Sequence, residues 1–153
     1  MQDDYLFDAS AIFSLIQHSE VIDKILLSRI RILHLIIYEV GNALWKETYL
    51  LRKISDPDRV INDMQRLLRH INVLGDLPLT EVFKVVTDRG LTFYDTSYVY
   101  VAESIGMKLV TNDKKVLKSS RNAISYTDFI QLITMRNFNY RLRKPYIAIF
   151  PYS

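Results

Sequence analysis

Cysteine is absent from the 153 residues, which excludes disulfides, thiolate metal sites and a cysteine nucleophile together, and fits a reducing, intracellular setting. No apolar run approaches the roughly 18 residues of a membrane span. The N-terminus carries Asp3 and Asp4 where a secretory signal would carry lysine or arginine. The expectation is a soluble, cytoplasmic protein with no membrane partner. Internal repeats and low-complexity stretches are also missing. Only 3 histidines occur, at His18, His34 and His70, and no two share the spacing of a metal-binding pair.

What remains is ordinary globular material with a basic tilt. Hydrophobic residues make up 49% of the chain, enough for one core that needs no cross-link at this length. The formal net charge is +3, and setting aside any acids gathered into a single site would leave a larger basic surplus, which suits a polyanionic partner.

The apolar pattern alternates between short strands and longer helical stretches. Tyr5 to Phe7 reads as a strand followed at once by the helix-initiating residues Asp8 and Ser10. Val21 to Leu27 keeps helical spacing, and Arg31 to Leu35 alternates like a strand. Ile36 to Leu51 then reads as one helix. Asp56 and Pro57 start another helix, whose face is marked by Val60, Met64, Leu67 and Ile71. A third strand is expected at Asn72 to Leu74, then a helix opened by Pro78 and capped by Gly90. Phe93 to Ile105 is helical, Lys108 to Val110 a fourth strand, Asp113 to Lys118 a short helix, Ala123 to Ser125 a fifth strand, and Thr127 to Met135 a last helix. This order implies a domain over residues 1–135 built from βαβ units with right-handed crossovers around a parallel sheet, and a basic, aromatic tail over 136–153.

In such a sheet four acids map to one edge. Asp8 and Asp113 lie just beyond the first and fourth strands, at their carboxyl ends, where open α/β folds place ligand crevices. Glu39 sits in the first turn of the helix leaving strand two, and Asp95 in the first turn of a helix that feeds strand four. Both helices must begin at that same edge. Taken singly, Asp8 and Asp113 read equally well as helix caps, and Asp95 as a charge that favours a helix N-terminus. Glu39 is different, because it interrupts Leu35, Ile36, Ile37, Tyr38 and Val40, and carboxylates are seldom buried without a partner. Clustered carboxylates repel unless a cation or bound protons offset them. Oxygen ligands without histidine or cysteine suit Mg2+ or Mn2+ rather than zinc.

Four segments carry a resemblance that spans roughly Tyr5 to Met135: Phe7-Asp8-Ala9-Ser10-Ala11; Tyr38 to Lys46; Thr92-Phe93-Tyr94-Asp95-Thr96-Ser97-Tyr98; and Leu109-Val110-Thr111-Asn112-Asp113. In this order and at these intervals they resemble the PIN-domain family, in particular the VapC-type toxins of toxin–antitoxin pairs. The resemblance implies a three-layer α/β/α sandwich with a central parallel sheet of about five strands. It implies an acidic quartet of Asp8, Glu39, Asp95 and Asp113 as catalytic and metal-holding residues, with Ser10 and Thr111 at supporting hydroxyl positions. Asn42 joins these two as a residue expected to orient the carboxylates. Thr96 stands where many members have alanine.

The activity implied is divalent-metal-dependent endoribonucleolytic cleavage, with RNA as substrate, an antitoxin protein as partner and a homodimer as the assembly. Lys114, Lys115, Lys118 and Arg121 are candidate phosphate contacts, as are Arg136, Arg141 and Arg143 with Tyr140; a solvated helix face explains the first group equally well. Trp45, Tyr94, Tyr98 and Tyr100 keep helical intervals and are expected in core or subunit contacts. A catalytically silent domain serving as an RNA- or protein-binding scaffold is the alternative. A phosphatase with Asp8 as nucleophile ranks lower, since position 10 would then carry an acid and carries Ser10.

Overall fold

A computed structural model describes residues 4–17 and 24–143, with side chains at 4–17 and 26–135. Val21 to Asp23 of the expected second helix, His18, the cationic side chains beyond Met135 and the last ten positions of the tail lie outside the described residues.

Five short parallel strands form the sheet: β1 (Tyr5–Phe7), β2 (Ile30–Ile32), β3 (Asn72–Val73), β4 (Lys108–Val110) and β5 (Ala123–Ile124), in the order β3-β2-β1-β4-β5. β1 is central, and its three side chains are fully buried. A strand covered on both faces reads as a continuous apolar run rather than an alternation, as Tyr5-Leu6-Phe7 does.

One face is closed by the C-terminal helix α8 (Tyr126–Arg143). Its Phe129 meets the rings of Tyr5 at 4.9 Å and Phe7 at 5.0 Å, both edge to face. Such pairs add about 0.5–1.5 kcal/mol beyond their burial. Leu6 points the opposite way, as alternation along a strand requires. Helix α1 (Ala9–Gln17) packs against α3 (Ile36–Trp45) and α4 (Pro57–Leu68), and α5 (Leu79–Arg89) against α6 (Phe93–Ser104); the short α2 (Lys24–Leu27) leads into β2, and α7 (Lys114–Ser119) into β5.

The chain leaves β1 outward through β2 to β3, then returns across the sheet to pair β4 with the other side of β1. Phe7 is in register with Val110, and Asp8 N–H donates to the Val110 carbonyl at 3.3 Å. The carboxyl ends of β1 and β4 are therefore neighbours at the point where strand order reverses, the place where open α/β sheets leave a crevice.

Several boundaries differ from the sequence pattern, most by one residue and three by more. β2 ends at Ile32, not Leu35. Its register sets Tyr5 against Ile30 and Leu6 against Arg31, and beyond Ile32 the chain, Leu33 to Leu35, turns into α3. The single helix expected over 36–51 is α3 followed by a π-helical turn, Lys46–Leu50, in which Leu51 N–H bonds the Lys46 carbonyl at 3.0 Å. The last helix runs past Met135 to Arg143, because neither glycine nor proline interrupts it before Pro145.

Away from the strand ends, Arg89 of α5 makes a two-pronged pair with Glu103 of α6, at 2.8 and 2.7 Å, and also donates to the Ser119 carbonyl at 2.9 Å. Ser120 completes the knot by donating to Glu103 at 2.7 Å. Helices α5, α6 and α7 are thus locked by one planar guanidinium, whose fixed fork suits a carboxylate.

Candidate active site

Asp8, Glu39, Asp95 and Asp113 line one cavity of about 990 Å³ at the carboxyl edge of the sheet. Each reaches it from a separate element, and each is held by donors supplied close by.

Asp8 follows β1 directly and caps α1. Its Oδ1 accepts from Ser10 Oγ at 2.7 Å and from the Ala11 N–H at 2.9 Å. The fully buried Thr111, at the end of β4, adds a side-chain hydrogen bond. Ser10 also accepts from the Asn112 N–H at 2.8 Å, so one hydroxyl joins the two strand ends. Thr111 in turn accepts from the Asp113 N–H at 3.0 Å. Both hydroxyls expected beside the quartet therefore bind it. Asn42 lines the same cavity one helical turn beyond Tyr38.

Glu39 projects from the first turn of α3 and accepts from the hydroxyl of Tyr98 at 2.6 Å. Tyr98 lies on α6 and is otherwise buried. This bond, not foreseen from the sequence, ties the helix that carries Glu39 to the helix that carries Asp95. Asp95 is held by Thr92, which caps α6: Thr92 Oγ1 accepts from the Asp95 N–H at 3.1 Å and donates to its carboxylate at 2.7 Å. Asp113 caps α7, accepting from the Lys115 and Val116 N–H groups at 2.7 and 3.1 Å.

Burial pushes the Asp8 carboxyl above its usual range, against the pull of Thr111, Ser10 and the Ala11 N–H, with the charge of Asp95 pushing the same way. Glu39 is pushed up to about 7, first by burial, with the Tyr98 hydroxyl opposing and the charges of Asp8 and Asp95 adding. Tyr98 is pushed up as well, by burial and then by Glu39, so its phenol keeps the proton it donates. Ionisation of Asp8 and Glu39 is thus resisted until something positive offsets it. Among the described residues no three such side chains stand close enough to ligate one ion directly. The donors share a cavity and are all hard oxygens, the chemistry that suits Mg2+ or Mn2+.

The candidate phosphate contacts are placed elsewhere. Lys114, Lys115, Lys118 and Arg121 are exposed on or just after α7 and do not line the cavity, whereas Lys46 does. The aromatic residues divide: Tyr98 is in the core as expected, but Tyr94 is exposed at the cavity.

The model of the PIN domain family matches residues 5–122. Exonuclease VapC9 of Pyrobaculum aerophilum is 48% identical over 123 residues, covering 79% of this chain and 89% of the relative. Ribonuclease VapC3 of the same organism is 33% identical over 118 residues, covering 71% of this chain and 88% of the relative. Among solved structures, PAE2754 from Pyrobaculum aerophilum superposes with a TM-score of 0.81 at 41% identity, covering 88% of this chain and 99% of that one. The DNA-bound VapBC complex of Salmonella typhimurium aligns with a TM-score of 0.57 at 16% identity over 82% of this chain and 99% of that one, a likeness of fold.

Proposed function

Because the chain belongs to the PIN domain family, we propose that it is a divalent-metal-dependent ribonuclease and the toxin half of a toxin–antitoxin pair. The observation that carries this reading is the convergence of Asp8, Glu39, Asp95 and Asp113 from four chain segments on one cavity. The names of the relatives, ribonuclease and exonuclease of the VapC type, supply the substrate class.

In this reading Asp8, Asp95 and Asp113 hold the ion directly or through water, and Glu39 completes the set. Magnesium usually keeps several waters and takes only one or two carboxylates, so acids that share a cavity without forming a closed cage fit it. When bound, such an ion makes a water nucleophilic and offsets charge on the departing oxygen of a phosphodiester. The chain's own contribution is orientation: Ser10 and Thr111 fix Asp8, Tyr98 fixes Glu39, Thr92 fixes Asp95, and backbone N–H groups fix Asp113. Asn42 belongs to this supporting shell.

The partners in this proposal are RNA, an antitoxin protein and a second copy of the chain. Exposed Trp45, Tyr49, Leu50 and Leu51, at the junction of α3 and its π turn, offer apolar surface for association.

Asp8→Asn tests the reading. The substitution keeps size and capping ability but removes the charge, so Mg2+- or Mn2+-dependent RNA cleavage is expected to fall at least about a hundredfold with the fold intact; a folded mutant of full activity refutes the assignment. A covalently closed RNA circle decides the mode of cutting. Internal cleavage opens it, and a circle left whole while linear RNA disappears makes the enzyme an exonuclease.

A further inference from the structure

Resting on the reading of the cavity as a place of RNA cleavage, we infer that Tyr38, Tyr94 and Lys46 form the rim that receives the substrate, which is a single strand with unpaired bases stacked on the two rings. Each tyrosine immediately precedes a cavity carboxylate, Tyr38 before Glu39 on α3 and Tyr94 before Asp95 on α6. Successive side chains on a helix diverge by about 100°. The carboxylate therefore turns inward while the ring stays at the mouth.

The exposures bear this out: Tyr38 is 78% and Tyr94 57% exposed, yet both line the same cavity as the four acids. They do not drift independently. The Tyr98–Glu39 hydrogen bond of 2.6 Å runs from α6 to α3, and so fixes the two helices that present the rings. The rim is pre-set, which lowers the ordering cost of binding.

Lys46 supplies the charge. Tyr38, Asn42 and Lys46 recur every four residues along α3 and into its π turn, forming one stripe along the cavity. Among the described residues Lys46 is the one lysine or arginine that lines the cavity. Among the described residues it makes no ion pair, although four carboxylates share its cavity, so its ammonium is available to a backbone phosphate. An aromatic pair with a nearby cation is the pattern that holds single strands, because every unpaired base has a face to stack. In an A-form duplex those faces are already covered by neighbouring bases and the deep groove is narrow.

The test is fluorescence anisotropy with a short labelled RNA lacking self-complementarity and with the same RNA as a duplex, calcium replacing magnesium so that the strand stays whole. Wild-type protein binds the single strand more tightly than the duplex. Tyr38→Ala and Tyr94→Ala each weaken single-strand binding about tenfold, while Tyr38→Phe and Tyr94→Phe, which keep the ring, restore it. Lys46→Gln lowers the slope of log affinity against log salt by about 0.7. The proposal is overturned if the alanine variants bind as wild type does, if the duplex binds as tightly as the single strand, or if Tyr38→Ala changes the sedimentation coefficient, which would make the ring a subunit contact. If the wild type neither binds nor cuts RNA, the ribonuclease reading falls and the rim with it. If the wild type cuts single strands and the alanine variants cut them with unchanged KM, the rim alone falls.

Discussion

Glu39 shows at the scale of one residue how a site can be costly to its own fold. Its ordinary value is 4.5 and its folded value about 7, so between these values the metal-free folded state binds more protons than the unfolded chain. Stability rises with pH only where the unfolded state binds more. The sign here is therefore negative: stability of the metal-free protein is highest below about 4.5, as far as Glu39 sets it, and falls as pH rises through about 7. Asp8, also raised, acts in the same direction. Melting curves in EDTA from pH 5 to pH 8 are expected to show Tm falling, and Glu39→Gln to flatten that fall and melt higher than wild type at pH 8; a wild-type Tm that climbs over this range contradicts it. Thr96 is a second residue of this kind. It is fully buried and its hydroxyl has no hydrogen-bond partner among the described residues. Since an unsatisfied buried polar group costs about 1–3 kcal/mol, Thr96→Ala is expected to leave Tm unchanged or raise it by a few degrees, and a loss of several degrees would show that the methyl group or a bridging water matters more. Glu39 was legible in the sequence because an acid inside an apolar run needs a reason. Tyr98 was not, because a tyrosine at helical spacing among apolar residues announces burial and says nothing about what its hydroxyl meets 59 positions away in sequence.

Among the elements, the short helix α7 carries two roles on one side chain. Asp113 caps it through two N–H groups and also lines the acidic cavity. The roles separate by substitution. Asparagine caps about as well as aspartate, so Asp113→Asn is expected to keep Tm while cleavage drops; Asp113→Ala loses the cap too, at about 1 kcal/mol. Equal melting and equal activity in both variants would deny Asp113 either role. The ends of elements were where the sequence misled. Alternation through Arg31 to Leu35 continues past Ile32, but the carbonyls of Leu33 and Leu35 accept from the first N–H groups of α3, and β2 ends there. The π turn after Trp45 is equally invisible, since Lys46 to Leu50 contains good helix formers and the change lies in the hydrogen-bond ladder. Gly90, by contrast, was placed correctly because its left-handed φ of 63° at the end of α5 is a local demand.

For the whole molecule, the parallel order of strands followed from the alternation of short apolar runs with helices, and the shared edge of the acids followed from the order. What holds the central strand was less visible. Phe129 lies beyond residues 5–122, the part matched by the family model, yet it is fully buried against Tyr5 and Phe7. Phe129→Ala is expected to cost about 3–5 kcal/mol, read as a lower denaturant midpoint and the loss of RNA cleavage near the new melting point; a shift under about 1 kcal/mol would mean that α8 rests on the sheet without supporting it. The pairing of β1 with β4 has a further consequence in time. About a hundred residues separate β1 from this second neighbour, and until that neighbour docks, Asp8 lacks Thr111 and Ser10 lacks the Asn112 N–H. Three of the four cavity acids, Asp8, Glu39 and Asp95, therefore precede the strand that completes the bonding around the first of them, and the cleft takes its final shape only when β4 docks.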